Sequence, residues 1–300
     1  MKQMNEFEFL LEDRIAKIHS INEQYDLENN SYIAFSGGKD STILSHLVDI
    51  ALPNNKIPRV FINTGIEFQA IRKFVQELAN TDDRFIILNN KLNIKKTLQK
   101  YGYPFKSKQH SHNLSIYQNG GLSRCVRVYL GVDVTNGGKE GYFKCPNNLK
   151  YQFTSEFTLK CSELCCKKMK KDPAQKWSKE NNKPITITGL LKEEGGARQT
   201  LNCIIVDRQN NLHKFHPLLV VNTEWENWFI QEYHIKLCDL YYTPYNFERT
   251  GCKGCPFSLN LQKDLDTLKE LLPNEYKQCE ILWRPVYAEY RRIGFRLRKE

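Results

Sequence analysis

Long apolar runs are what this sequence most clearly lacks. Nowhere in its 300 residues do eighteen apolar side chains follow one another, so no transmembrane helix is expected. An export signal is also missing from the opening MKQMNEFEFLLEDRIAKIHSINEQYD, where Glu6, Glu8, Glu12 and Asp13 stand in place of a basic stretch and an apolar core. The expected location is the cytoplasm, with no membrane partner. There is no low-complexity stretch, no internal repeat and no linker of domain-boundary composition. At 40% hydrophobic, 12% aromatic and 26% charged residues, the composition excludes collagen-like and largely disordered chains. The length allows one or two domains with a sizeable buried core.

Two features are present in excess. Ten cysteines are too few for a disulfide scaffold and many for a cytosolic enzyme, which points to metal or redox chemistry. The formal charge is +10 and unevenly spread. Residues 1–90 hold 9 basic and 13 acidic side chains, whereas the remaining 210 hold 35 and 21. A net of +14 in the larger part suits an anionic substrate or nucleic acid, although lysine added for solubility gives the same count.

Hydrophobic spacing organises the chain. Phe7, Leu10, Leu11, Ile15, Ile18 and Ile21 recur at three- and four-residue intervals and predict an amphipathic helix over 5–25. Tyr32–Phe35 reads as a buried strand, Ser36–Asp40 as a tight glycine-containing loop and Ser41–Ala51 as a helix. Strands are expected at 59–65, 84–90 and 183–191, a helix at Gln69–Leu78, and a loop running into an aromatic helix capped by Thr223. Strands alternating with helices predict a parallel sheet in an α/β fold. The 90 residues between the third and fourth strands are too long for a simple crossover. The expected organisation is an N-terminal helix (1–25), a nucleotide-binding domain (26–257) and a basic helical C-terminus (258–300).

FSGGKDST (35–42) lies between strand and helix, where a phosphate cradle belongs. Gly37 and Gly38 let backbone N–H groups approach an anion, and the helix start adds orphan donors and a positive dipole end. Lys39 supplies a mobile cation, Ser36, Ser41 and Thr42 supply hydroxyls, and Asp40 can hold the loop or help bind Mg²⁺. The spacing is not that of GxxxxGK[ST]. The string resembles the SGGxDS pyrophosphate loop of ATP pyrophosphatases and their relatives, among them phosphoadenosine phosphosulfate (PAPS) reductases. NTGIEF (63–68) is similar to the turn that these proteins place beside adenosine, which implies Asn63, Thr64 and Gly65 as nucleotide contacts. The resemblance implies an adenine-nucleotide alpha-hydrolase-like, Rossmann-like core with helical and loop insertions, binding ATP or an adenylylated sulfur nucleotide.

Cys165-Cys166 and Cys252-Lys253-Gly254-Cys255 are the paired cysteines. A CxxC turn brings two thiolates near one metal centre, and adjacent cysteines can reach two irons of a cluster. The arrangement resembles the 4Fe–4S signature of adenylyl-sulfate (APS) reductases, where basic residues and a proline follow the cysteine pair, as Lys167, Lys168, Lys170, Lys171 and Pro173 do here. HPLLVVNTEWENWF and PYNFERTGCKGCPFS extend the similarity to residue 257. The resemblance implies a 4Fe–4S cluster on Cys165, Cys166, Cys252 and Cys255, with zinc as the alternative. Cys125, Cys145, Cys161, Cys203, Cys238 and Cys279 are expected to be structural, with Cys161, four residues before Cys165, the first to reconsider.

The chain departs from the sulfonucleotide reductases in two places. Those proteins carry a nucleophilic cysteine in their tails, and no cysteine follows Cys279 here. In the segment 189–198, Glu194 and Arg198 match the family pattern while Leu191 and Gly195 replace its first arginine and its serine. Arg198 with Lys39 and Asp40 is therefore the expected catalytic set. The complete phosphate loop implies ATP cleavage to AMP and pyrophosphate that activates an acceptor for sulfur transfer, assisted by Mg²⁺. The acceptor can be nucleic acid, and a sulfur or electron donor protein is implied. The alternatives are APS or PAPS reduction with a partner's thiol, or a non-catalytic nucleotide- and redox-sensing module. Lys106, Lys108, His110 and His112 are candidate anion contacts, and Arg291, Arg292, Arg296, Arg298 and Lys299 candidate contacts to nucleic-acid backbone.

Overall fold

The computed structural model describes residues 5–195 and 198–299. The chain divides into two compact units that do not follow sequence order. The first comprises residues up to 63, 67–89 and 172–251, and the second 64–66, 90–171 and 252–300.

The first unit is built on six strands, β1 (Ser31–Phe35), β2 (Arg59–Asn63), β3 (Phe85–Asn89), β4 (Ile185–Ile187), β5 (Ile204–Val206) and β6 (Leu212–Phe215). Their order is β3-β2-β1-β4-β6-β5. All pairs are parallel except β5 with β6, so the expected α/β parallel-sheet architecture is what forms. β1 reads as a continuous apolar run because it is central and covered on both faces. The 183–191 strand is shorter than expected and ends at Ile187. β6 overlaps the start of the expected loop and β5 is not expected at all, because three- and four-residue strands with a bulge at Ile205/Val206 give almost no alternation.

Helices α1 (Glu6–Tyr25), α2 (Leu27–Asn30), α3 (Lys39–Ala51), α4 (Gln69–Thr81), α9 (Asp172–Glu180) and α10 (Thr223–Glu232) complete this unit. α1 starts on a capping box in which the Asn5 side chain accepts from the Glu8 amide and the Glu8 carboxylate accepts from the Asn5 amide. Its Leu11, Ile18 and Ile21 join Ile33, Leu44, Leu47, Ile187, Phe215 and Trp225 in one core. Each such side chain contributes about 1.5–3 kcal/mol of burial. The cap of α10 is Asn222, one residue before the expected Thr223.

The second unit is largely helical: α5 (Ile94–Tyr101), α6 (Lys108–Gly120), α7 (Arg124–Leu130), α8 (Leu164–Cys166), α11 (Leu261–Leu271) and α12 (Pro273–Ile293). α8 runs into a wide π-type turn over Lys167–Lys171. Phe105, fully buried, meets the Tyr290 ring edge-on at 4.6 Å. Among the described residues no helix is long and apolar enough to cross a membrane.

Candidate functional site

The phosphate loop closes at the carboxyl end of β1. Gly37 has φ +72, and a Cβ there would lie 2.9 Å from the side chains of both Ile71 and Val75 on α4, so only glycine fits. Gly38 caps α3, which begins at Lys39, two residues earlier than the sequence predicts. The loop's hydroxyls are turned inward. Ser41 and Thr42 donate to the Gly38 carbonyl at 2.9 and 3.0 Å, and both are buried. Ser36 Oγ lies 2.9 Å from Ser41 Oγ and accepts the Gly38 amide at 3.2 Å.

Three residues outside the motif complete this arrangement. The Lys39 amide donates to Tyr241 Oη at 2.9 Å, and that hydroxyl lies 2.6 Å from Thr250 Oγ1. Burial pushes the Tyr241 phenol up to about 12, so it stays a neutral hydroxyl that any stronger acceptor can displace. Two successive amides, of Gly38 and Lys39, therefore donate to hydroxyl oxygens where an anion would compete. The Lys39 ammonium is ion-paired with Glu226 and lies 3.6 Å from Asp40 Oδ1. Glu226 sits on α10 and is fully buried, with Oε1 lacking a hydrogen-bond partner among the described residues. A buried carboxylate balanced by one lysine is costly to separate from it.

Other expected contacts lie at strand ends. Asn63 ends β2, its side-chain amide donating to Asn89 at 2.9 Å. Thr64 and Gly65 belong to the second unit, Thr64 buried and Gly65 at φ +81. A Cβ on Gly189, just past β4, would press on the Asp40 carbonyl oxygen at 2.6 Å. This glycine therefore lets the β4 end approach the loop. Arg198 lies in the loop after β4, its amide donating to the Gly195 carbonyl at 3.3 Å. Gly196 and Ala197 of the family-like segment lie outside the described residues. At the end of β6 the His216 imidazole Nδ1 is 2.6 Å from Thr188 Oγ1, while its buried Nε2 has no hydrogen-bond partner among the described residues.

All four paired cysteines lie in the second unit. Their charges are felt at one another. The hydrogen bond with Cys166, burial, and the charges of Cys166, Cys255 and Cys252 all push the Cys165 thiol up. Cys166 is the member of the pair that favours the thiolate, through the Cys165 hydrogen bond and the cations Lys108, Lys170 and Lys171. Burial and Cys252 push Cys255 up. The Cys252–Pro256 turn is held from beneath by aromatic side chains. Trp283 Nε1 donates to the Lys253 carbonyl at 3.0 Å, Tyr287 to Gly254 at 2.5 Å, and Tyr290 to Pro256 at 2.9 Å. Gly254 has φ +59, and a Cβ there would meet Tyr287 Oη at 2.5 Å and Cys279 Sγ at 2.8 Å. Among the described residues no group of three or more His, Cys, Asp or Glu could hold a metal ion as it stands.

Cys161 stays apart, buried in a bridge to Tyr103 with its amide on Gln118. His110 is no anion contact. It is fully buried, 2.9 Å from Tyr129 Oη and 2.7 Å from Gln152 Oε1. His112 pairs with Glu163 at 2.9 Å. Arg291 and Arg292 pair with Glu280 and Glu289, Arg298 with Asp266, and Arg296 donates to the Pro256 carbonyl. Most of the basic tail therefore serves the second unit itself.

The phosphoadenosine phosphosulfate reductase domain matches this chain over residues 30–129 and 126–258. An uncharacterized protein of Methanocaldococcus jannaschii is 24% identical over 92% of the chain, which spans only 56% of that relative's length. Among solved structures, the phosphoadenylyl-sulfate reductase of Candida auris in its phosphate complex is 15% identical, with TM-score 0.39 over 71% of this chain and 76% of that one. The FMN adenylyltransferase of Candida glabrata gives 13% and 0.44 over 80% and 62%. The U34-tRNA thiolase NcsA of Methanococcus maripaludis, with its 4Fe–4S cluster, gives 14% and 0.37 over 96% and 80%. Likenesses this weak carry nothing about chemistry.

Proposed function

The chain belongs to the phosphoadenosine phosphosulfate reductase family, and from that premise we propose that it cleaves ATP to AMP and pyrophosphate to activate an acceptor for sulfur transfer. The observation that carries this reading is the complete phosphate loop, with the Gly38 amide directed by Ser36 within the motif and the Lys39 amide and ammonium directed by Tyr241 and Glu226 outside it. Attack of an acceptor oxygen at the α-phosphorus would break its bond to the bridging oxygen, and pyrophosphate would leave with that electron pair. The Gly38 and Lys39 amides, the start of α3 and the Lys39 ammonium would stabilise the charge growing on the leaving group. Lys39 has three donors, so it can bind phosphate while retaining Glu226. Arg198 is the proposed second cation, and Asn63, Thr64 and Gly65 the proposed adenosine contacts. Mg²⁺, with Asp40 as its proposed protein ligand, would shield the triphosphate.

Cys165, Cys166, Cys252 and Cys255 fit a 4Fe–4S cluster better than zinc. The donor set is all thiol, the four share one electrostatic neighbourhood, and adjacent cysteines suit two irons of a cluster better than one tetrahedral ion. A bound cluster would supply a redox-active, sulfide-bearing centre. The protein's part is to hold the turn: Trp283, Tyr287 and Tyr290 satisfy its carbonyls, and Lys108, Lys170 and Lys171 favour thiolate at Cys166. A partner protein would supply sulfur or electrons.

The second reading, reduction of APS or PAPS with a partner's thiol, is favoured by the family match itself. Anaerobic incubation with ATP and Mg²⁺ separates the two. Equal AMP and pyrophosphate support ATP cleavage, whereas sulfite from APS or PAPS with ATP inert supports reduction. Loss of function in Cys252→Ser with full tolerance of Asp40→Ala would instead indicate a sensing module.

A further inference from the structure

Residues 90–171 carry sixteen Lys and Arg against four Asp and Glu, a net of +12 that exceeds the whole chain's +10. Within this span, α7 and the loop after it form one body. Arg124 donates to the carbonyls of Val134 and Thr135, and Arg127 pairs with Asp133 and reaches the Leu122 carbonyl. The Cys145 amide returns to the Tyr129 carbonyl at 2.8 Å. Gly141 lies so close that a Cβ would meet Val128 at 2.9 Å. Thr135 and Lys139 close a turn over Asn136-Gly137-Gly138.

This module turns apolar side chains outward. Leu122, Val132, Val134, Tyr142 and Phe143 are all exposed, Tyr142 to 85% and Phe143 to 44%. The two rings meet edge-on at 4.7 Å, so one face of one ring is covered while both side chains stay exposed. Exposed cations flank them: Arg124, Lys139, and Lys144, which also pairs with Glu140 at 2.5 Å. Contiguous exposed apolar groups of this kind mark an interaction site.

We propose that this module binds single-stranded or looped nucleic acid, with bases stacking on Tyr142 and Phe143 and phosphates drawn to Arg124, Lys139 and Lys144. Open aromatic faces among cations are the pairing such strands require, because every base has a stacking face and every linkage a negative charge. Protein interfaces are depleted in lysine. Membrane-surface segments gather their apolar residues on one face of a helix, whereas Leu122 precedes α7 and the other four lie in a loop interrupted by Asp133 and Glu140. The surface goes beyond ATP cleavage, and its test requires no ATP, so either idea can fail alone.

Fluorescence anisotropy with labelled twelve-residue oligo(U) and oligo(dT), using the full chain at several salt concentrations, tests it. The expected result is binding that weakens steadily with salt and exceeds binding to a duplex of the same length. Tyr142→Ala with Phe143→Ala should weaken it about tenfold or more, and Lys139→Glu should reduce the salt slope. Both rings are exposed, so an unchanged melting temperature will show that the variant folds. A preference for oligo(U) would identify RNA as the ligand, and one for oligo(dT) would identify DNA. No binding at 50 mM salt, binding indifferent to the double variant, or capture by anionic phosphatidylglycerol vesicles alone would overturn the proposal.

Discussion

Removing the Glu226 carboxylate takes away the buried anion that Lys39 pairs with, without touching the loop that Lys39 belongs to. Breaking one side of a buried pair costs about 3–5 kcal/mol, reduced here because Lys39 keeps 17% of its side chain exposed. Glu226→Ala should therefore lower the urea midpoint, and Glu226→Gln, which keeps an acceptor, should lower it less. Both should raise the ATP concentration needed for half-maximal pyrophosphate release. Glycines give a second contrast. Gly254→Ala meets Tyr287 and Cys279 as well as a strained φ, whereas Gly65→Ala has the strained φ alone and open space around it. The first should lose iron and melt several degrees lower, and the second should cost only about 1–2 kcal/mol. Histidine sets an acid limit. Burial, and to a lesser degree Lys106, hold His110 down at about 4 against the Gln152 hydrogen bond, from an ordinary 6.5. The unfolded chain therefore takes up this proton first as pH falls, and stability present above pH 6.5 is lost toward pH 4. The loss should reach about 2–3 kcal/mol by urea titration, and His110→Asn should flatten that part of the profile. At this scale the motif SGGKDS was readable as a string, because its chemistry is local. Glu226 and Tyr241 were not, since nothing in TEWENW or DLYYTPY shows that their side chains return to Lys39 across roughly 190–200 residues.

Helix α12 shows what element-scale reading can and cannot reach. Trp283, Tyr287 and Tyr290 stand at i, i+4 and i+7, one helical face, and that spacing is visible in LWRPVYAEY. Their target is not visible, because the carbonyls they bind belong to the cysteine turn about thirty residues earlier. Tyr287→Phe leaves the Gly254 carbonyl without its donor and should cost about 1–2 kcal/mol, read as faster hydrogen exchange at the Cys255 amide. Helices α1, α3, α4 and α10 were predictable from apolar and aromatic spacing and β1–β3 from β-branched and aromatic runs, whereas α2 and α9 were not. β5 and β6 were hidden by their length, and the Lys167–Lys171 π-type turn by a lysine-rich sequence without periodic signal.

Across the whole molecule, charge and cysteines separate by unit. The phosphate loop and its Glu226 clasp lie in the first, and the paired cysteines with the +12 segment in the second. Linear reading gave the parallel α/β architecture, because each strand and helix carries its own pattern. It could not show units that exchange segments at 64–66, 90, 172 and 252, since no change of composition marks those crossings. The central claim is that the loop cleaves ATP between its α and β phosphates. The direct measurement is product analysis after anaerobic incubation of the iron-reconstituted protein with Mg²⁺ and α-labelled ATP. Labelled AMP, free or on an acceptor, with an equal amount of pyrophosphate, both abolished by Lys39→Ala, is the predicted result. Labelled ADP with phosphate, or inert ATP beside sulfite released from PAPS, would contradict it.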